Sequence, residues 1–382
     1  MNEAYDIVVA GGGPVGAALA LGLRDSGYKL ALLEPRRPNI IRDDARAIAL
    51  SHGGRLILER LGLWPALAPA VTPICHINIS QQRGFGRVDM HAGEAGVPAL
   101  GYVVGYVALQ QALAAALAPA GVQVMAGRAV QAVSGDVYGA FATIDDELTL
   151  AARLIVIADG GTQLNIAHVK IRDYHQSALV CEVASEQPHH NRAFERFTPQ
   201  GALALLPSGG RWSLIWTLSP ERAQELAALD DGEFCRRLQA TFGAAAGAFG
   251  TPGQRQVFPL TLRYAVRPVA ARTLMIGNAA QMLHPVAGQG FNLGLRDAWE
   301  LARVLVTHDQ HDPGGSDLLN AYFSQRRFDR IATILFTDSL IRLFCKDIPL
   351  LNATRSLGLA AFGVIPGAKN FLARRMMFGA RG

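Results

Sequence analysis

Three glycines, Gly11, Gly13 and Gly16, follow an apolar run ending at Ala10 and precede an apolar stretch to about Leu23. Strand, glycine turn and helix start together let backbone approach a pyrophosphate and set it on a helix N-terminus, with Pro14 entering the helix. Glu34 closes the next apolar run, Lys29 to Leu33, 18 residues after Gly16. An acid there can accept both hydroxyls of a ribose. Taken together these residues predict a dinucleotide site, which a lone glycine motif would not.

A second constellation lies at Thr273 to Val306. A short strand ends at Ile276-Gly277, then come Asn278, His284-Pro285, Gly288, Gln289, Gly290, Asn292 and Gly294. Apolar spacing predicts a helix from about Asn292. Its N-terminal donors and dipole suit an anionic group, while a sharp turn beside a helix would use the same glycines. Asp159 follows the apolar run Leu154–Ala158, so it stands at the carboxyl end of a buried parallel strand, where open α/β sheets bind ligands. A plain Asp-Gly turn fits it equally. Arg46, entering a helix near the nucleotide site, is a candidate phosphate or adenosine partner or a surface arginine.

The elements that must position these residues read as an α/β chain. A Rossmann-like nucleotide-binding domain takes residues 1–75, 102–165 and 263–316. An inserted antiparallel β-sheet domain takes 76–101 and 166–262, interrupted by one helix, Asp231 to Phe242. Residues 317–382 form a helical C-terminal tail. At 382 residues, 50% hydrophobic and 40 glycines, the chain suits a globular enzyme rich in tight turns. Cys75, Cys181, Cys235 and Cys345 are scattered, which predicts reduced thiols, a cytoplasmic setting and no metal site. Glu3 and Asp6 before the first apolar run argue against an export signal.

The net charge is +5, and from Ile341 onward seven basic residues (Arg342, Lys346, Arg355, Lys369, Arg374, Arg375 and Arg381) face one acid, Asp347. No nucleic-acid reader motif accompanies them, so nucleic acid is excluded and an anionic membrane surface is expected. Ser356 to Ala368 gives 13 uncharged residues broken by Pro366. That is too few for a span and suits a segment lying in the interface.

GGGPVG with Glu34, the ADG of Ala158–Gly160 and GNAAQMLHPVAGQGFNLGLRD (Gly277–Asp297) resemble the FAD-dependent aromatic hydroxylases of the p-hydroxybenzoate hydroxylase type. RAIAL (Arg46–Leu50), AFERF (Ala193–Phe197) and YFSQRRFDR (Tyr322–Arg330) are similar to the 2-polyprenyl-6-methoxyphenol hydroxylases of ubiquinone biosynthesis. The resemblance covers nearly the whole chain. It implies a monooxygenase in which reduced FAD and O2 form a flavin hydroperoxide that transfers oxygen to a phenol ring.

Carried over, it places Gly11, Gly13, Pro14 and Gly16 at the pyrophosphate, Glu34 at the ribose, and Arg46 and Gln111 beside the cofactor. Asp159 belongs to the second fingerprint, Asn278 meets the ribityl chain, and Gly288, Gln289, Gly290 and Asn292 run along the flavin. His284 and Pro285 pass the flavin; His284 either assists phenol deprotonation or only hydrogen-bonds backbone. Asn278 replaces the wider family's Asp, and Gly161-Thr162-Gln163-Leu164-Asn165 departs from the usual Ser and Arg.

No second glycine motif is present, so NAD(P)H binds transiently or a partner reductase supplies electrons. The implied partners are a polyprenyl phenol, the inner membrane surface, on which the protein lies peripherally, and other ubiquinone-pathway proteins. Three rival readings are a hydroxylase of a soluble aromatic acid, a flavin-dependent prenyl reductase and a non-enzymatic prenyl carrier. The first should aim arginines at a carboxylate.

Overall fold

The computed structural model describes residues 4–37, 44–82, 84–145, 148–161, 164, 166–308, 312–344 and 349–379. Part of the loop after Glu34, Thr162, Gln163, Asn165, Cys345, Lys346, Asp347 and Arg381 therefore lie outside the described residues. The chain opens with β1 (Ala4–Ala10), α1 (Pro14–Gly22) and β2 (Leu30–Glu34). β3 (Ala47–Ser51), α2 (His52–Arg60) and the short α3 (Trp64–Leu67) follow. Then come β4 (Val71–Ile74), β5 (His76–Gln81), β6 (Arg87–His91), β7 (Gly101–Gly105) and α4 (Tyr106–Leu117). β8 (Gln123–Ala126), β9 (Ala132–Gly135), β10 (Ala140–Asp145) and β11 (Leu148–Ile157) complete the first half.

The second half starts with β12 (Val169–Ser185), β13 (Arg192–Thr198), β14 (Gly201–Ser208) and β15 (Arg211–Leu218). α5 (Pro220–Ala228), α6 (Asp231–Phe242), β16 (Phe249–Pro252) and β17 (Gln256–Ala265) follow. After β18 (Val269–Ala270), β19 (Thr273–Met275) and β20 (Gln281–Met282) the chain becomes helical. The helices are α7 (Gln289–Thr307), α8 (Ser316–Phe344), α9 (Pro349–Val364) and α10 (Pro366–Phe378).

The first sheet runs β18-β19-β11-β1-β2-β8, with β19, β11, β1, β2 and β8 mutually parallel. β1 and β11 are central and covered on both faces, which is why they read as unbroken Ile/Val runs: Ile7, Val8, Val9 and Leu154 to Ile157 are wholly buried. Each such side chain contributes about 1.5–3 kcal/mol. α1 meets α7 through small residues. A Cβ on Gly294 would lie 3.0 Å from both Gly277 Cα and Val15, and one on Gly22 would lie 2.9 Å from Ala302. This close approach fixes the start of α7 beside the glycine turn.

The second sheet is β20-β17-β12-β15-β14-β13-β5-β6, and β3-β7-β4 form a small third sheet. α5 and α6 cover the outer face of the second sheet, with Ala223 and Leu226 of α5 and Phe234, Leu238 and Phe242 of α6 in one core with Trp212 and Trp216. Its inner face meets the loop before α7 and the end of α8, through Phe197, Val286, Ile341 and Phe344.

The expectation of one helix in this region is corrected, because α5 precedes α6. Its start is a Ser N-cap followed by Pro at the first helical position, and Ser219 Oγ accepts from Arg222 N at 3.3 Å. That signature was readable, and the flanking strand alternation masked it. α7 also begins at Gln289, three residues before the expected Asn292.

The tail packs on the body. α9 lies along β6, where a Cβ on Gly363 would come 2.7 Å from Arg87 O, and α10 lies on α2, where one on Gly53 would come 2.5 Å from Met377 O.

Candidate active site

The turn after β1 contains glycines of two kinds. A Cβ on Gly11 or Gly16 would collide with the backbone of Ala158 or of Gly11 itself, and Gly11 has φ +117°. These two are required by the turn. Gly13 is different: φ is −63°, and a Cβ there would meet nothing within 4 Å. Open space at this point, directly over the first turn of α1, is what a bound pyrophosphate needs.

Glu34 ends β2 beside the turn, its carboxylate within 2.9 Å of where a Gly12 Cβ would sit. It pairs with Arg36 at 2.6 Å, and that hydrogen bond raises the Arg36 pKa. Gln111 is exposed on α4, whereas its neighbour Gln110 is half-buried with its amide within 2.5 Å of Arg36. The single-residue offset is a matter of helix rotation, which sequence spacing does not resolve.

Arg46 is held by Asp44 at 2.6 Å and lies over the rings of Tyr106, at 4.7 Å, and Phe258, at 5.2 Å. It thereby bridges the first domain and β17. Asp159 accepts from Gly161 N at 2.8 Å and Leu164 N at 3.1 Å, closing a turn in which Gly160 (φ +81°) and Gly161 (φ +85°) are both left-handed. Asn278 is exposed on the turn after β19.

The loop before α7 carries two successive left-handed residues, Ala287 (φ 61°) and Gly288 (φ 59°). Alanine rarely accepts this conformation, and such strain concentrates at functional sites. Asn292 holds the loop in place. Its Oδ1 accepts from Ser51 N at 2.8 Å, and its Nδ2 donates to Ala49 O at 2.8 Å and Gly288 O at 2.9 Å. Gln289 is buried and donates to Ala287 O at 3.2 Å and Met376 O of α10 at 3.4 Å. Gly290, in the first turn of α7, has nothing within 4 Å of its would-be Cβ. Like Gly13, it opens onto free space.

Two turns further on, Asp297 is buried and fixes α7 on α8. It accepts from Arg326 Nε at 2.9 Å and from Gln281 Nε2 at 2.5 Å. Arg326 and Arg296 both donate to Asp329, at 2.8 and 2.9 Å. The phrases that hold these residues, GLRD and SQRRFDR, brace the loop from behind.

His284 is buried beside Tyr174, their rings 5.3 Å apart and edge-on. Gln176 gives its amide N–H to Gln200 O, so its Oε1 faces His284 Nε2 at 3.3 Å. Nδ1 accepts from Val286 N at 3.2 Å. Both ring nitrogens are thus engaged in the neutral form, and burial pushes the pKa down to about 3. The unfolded imidazole titrates near about 6.5. Between those values only the unfolded chain binds the proton, so the stabilising contribution is complete above about 6.5 and is lost as pH falls toward 3. The unfolding free energy of wild type relative to His284→Gln should fall by about 1.4 kcal/mol between pH 7.5 and 5.5. Urea unfolding of both proteins at the two pH values reads this, and an equal change in unfolding free energy for wild type and variant would remove it.

Glu195 was not singled out from the sequence. Phe194 and Arg196 point to the outer face, where both meet the Phe242 ring, so Glu195 stands with Ala193 and Phe197 on the inner face. It is half-buried and has no hydrogen-bond or ion-pair partner among the described residues. Burial alone pushes its carboxyl up to about 7. The signal available was an acid inside AFERF, an otherwise apolar-alternating strand.

A cavity of about 70 Å³ adjoins the loop. Ala287, Gly288 and Gln289 form one wall, Ile77 and Met90 of the second sheet another, and Ala373, Met376 and Met377 of α10 a third. Every described residue lining it is uncharged.

The FAD binding domain family matches residues 4–335. The chain is 34% identical to the ubiquinone hydroxylase UbiL of Rhodospirillum rubrum, over 98% of this chain and 90% of that one. It is 32% identical to the 3-demethoxyubiquinol 3-hydroxylase of Escherichia coli, over 94% and 95%. The fold superposes on p-nitrophenol 4-monooxygenase PnpA of Pseudomonas putida with a TM-score of 0.80 at 17% identity, covering all of both chains. The open cradle at Gly13 and Gly290 fits FAD, and with these likenesses the chain belongs to the FAD-dependent, O2-using aromatic-ring monooxygenases, in the branch of the ubiquinone-biosynthesis hydroxylases.

Proposed function

We propose that this enzyme hydroxylates the ring of a polyprenylated, methoxylated phenol. The observation that carries the reading is the uncharged cavity beside the flavin loop. A ring bearing a carboxylate would be buried there without a cationic partner, at a cost of several kcal/mol. A prenyl chain would be buried favourably, at about 0.8 kcal/mol per CH2. The space is small beside the roughly 300–1,000 Å³ of ordinary ligand sites, so α10 must give way. Met376 and Met377 on its inner side are suited to that, being flexible and apolar.

In this reading Gly11, Gly13, Pro14 and Gly16 receive the pyrophosphate of FAD, and Glu34 the adenosine ribose, with Arg36 holding the carboxylate in position. Arg46 and Gln110 or Gln111 flank the cofactor, Asn278 meets the ribityl chain, and Asp159 shapes the adjoining turn. When bound and reduced, FAD activates O2 for transfer to the ring. The chain's own part is to orient the ring, exclude water and offer N–H donors from the first turn of α7 to negative charge on the flavin. Asn292 keeps those donors aimed, and His284 with Pro285 forms the dry wall of the loop, with no proton to give near neutral pH. Electrons come from transiently bound NAD(P)H or a partner reductase. Residues 76–101 and 166–262 provide the substrate side.

The direct test is incubation of the FAD-loaded protein with a short-chain 2-prenyl phenol, reductant and O2, followed by product identification. A ring-hydroxylated product supports the reading. Oxidation of benzoates but not prenyl phenols would replace it with the soluble-acid reading.

Gly290→Ala gives a sharper prediction for the loop. Its Cβ meets no protein atom, and alanine gains up to about 1 kcal/mol over glycine within a helix. Stability should therefore hold or rise, while hydroxylation slows by about tenfold, since a displacement of one ångström can cost more than that. Peroxide released per reductant consumed should increase. Unchanged coupling would reduce the loop to a turn.

A further inference from the structure

Among the described residues of the second sheet, Glu195 is an ionisable group left without a hydrogen-bond or ion-pair partner. Glu195 lies on the inner face of β13, between Ile79 of β5 and Ala204 of β14, its register partners. Ala193, two residues before it, packs with Ala47 at the head of β3 and Val103 of β7. Phe197, two residues after it, packs with Val286 of the flavin loop. The carboxyl is thus bracketed, along its own strand, by contacts to two edges of the nucleotide-binding domain. Ile79, Ala204 and Ile215 on this face are all half-buried, and Ile77, the register partner of Ala193, lines the cavity at the flavin loop.

A carboxyl without a partner in such a setting is costly to keep, and packing alone would favour leucine or methionine. A phenol hydroxyl arriving over the sheet would provide the missing hydrogen bond. We propose that Glu195 is the residue that receives the hydroxyl of the aromatic substrate and takes its proton. This rests on the phenol reading above. The carboxylate oxygen forms a bond to hydrogen as the phenol O–H bond breaks. The electron pair stays on the phenol oxygen and raises the electron density of the ring carbons that accept oxygen. Glu195 ends as the neutral acid, and no further reactant is needed.

The charged and titratable groups on the elements packed around this face do not compete for the role. His284 is neutral, with both nitrogens engaged. Tyr174 donates to Asp338, which also holds Arg172 and Arg342. Arg355 of α9 is buried. None of them adds to the effect of burial on Glu195. A base whose pKa lies near the working pH is well poised for general catalysis.

The test compares wild type with Glu195→Gln, both loaded with FAD, on a short-chain 2-prenyl phenol. Wild-type kcat should rise with pH through about 7, because the ionised carboxylate is the active form. The variant should bind FAD and substrate normally, lose that limb and lose about 100-fold in kcat at pH 7.5. On a fluorinated analogue that is already ionised at the assay pH, the loss should shrink to within about threefold, since no proton remains to be removed. Glu195→Asp should keep the limb at reduced rate, and decides the matter if the Gln variant does not fold. A limb that persists in Glu195→Gln, or an equal loss on both phenols, overturns the assignment. If wild type oxidises neither phenol, the phenol reading fails first, which is a separate outcome.

Discussion

Gly13→Val is expected to give a folded protein that carries no FAD. Valine is at ease at φ −63° and ψ 176°, an extended conformation, and its Cβ would point into space where no protein atom lies within 4 Å. Nothing in the fold resists the change. What the side chain fills is the approach to the first turn of α1, where backbone donors and the helix dipole would hold the pyrophosphate. Moving the phosphates outward by the width of an isopropyl group removes those hydrogen bonds, and charge-assisted bonds of this kind contribute about 1.5–3 kcal/mol each. Losing two weakens binding by at least about 100-fold. Glu34→Ala, which leaves Arg36 without its partner, should cost about tenfold. Gly16→Ala is the contrasting control, because its Cβ would strike Gly11 O and the loss should be of folded protein. Far-UV circular dichroism and the flavin absorbance of the purified proteins separate the cases. A Gly13→Val protein that keeps a full complement of FAD would mean that the cofactor does not sit on this turn.

The difference between Gly13 and Gly16 also marks how far the sequence could be read. Spacing identified both, together with the strand before them and the acid after them, and the βαβ unit follows from that local pattern. The parallel sheet was legible for the same reason: β1 and β11 are apolar on both faces, and only a central strand needs that. Spacing did not reveal which glycines serve the backbone and which leave room for a ligand, because that depends on Ala158 and Glu34 arriving from elsewhere in the chain. Gln110 and Gln111 differ by one helical step, so the side facing Arg36 is set by the packing of α4. Glu195 was hidden by a different cause. Its strand alternates as expected, and only the placement of loop and sheet leaves a lone carboxyl on the inner face.

The tail was read as basic and interfacial, and the structure redistributes that charge. Arg355 is buried, and Lys369 is paired with Glu94 at 3.2 Å, so neither flanks an exposed segment as expected. Among the described residues of the tail, Arg374 is exposed, Arg342 is shared with Asp338, and Arg375 lies over the Phe328 ring at 5.0 Å. The apolar side chains are more available: Leu357 on α9, Ile365 at the break between the helices and Phe371 on α10 are 63%, 53% and 70% exposed.

No single helix among the described residues is long and apolar enough to cross a membrane. Thr354–Gly363 and Gly367–Phe378 would reach that length only together, and they are bent by 90°. We propose that this bend lies on the membrane surface, next to the α10 wall of the cavity, so that a prenyl chain passes from lipid to protein without entering water. Burying three large side chains contributes up to about 1.5–3 kcal/mol each, against about 1 kcal/mol for each basic residue near an anionic surface. The apolar contribution therefore dominates, and the charges add a preference for anionic lipid. Replacing Leu357, Ile365 and Phe371 together by serine should abolish flotation with anionic liposomes. Because all three are exposed, the melting temperature, FAD content and activity on a short-chain phenol should stay near wild type. Activity on a long-chain substrate held in vesicles should fall by at least tenfold with the lost docking. Flotation of the triple variant at the wild-type level would move this segment from the membrane to a partner protein or to plain packing, and equal binding of wild type to neutral and anionic vesicles would remove the preference for anionic lipid.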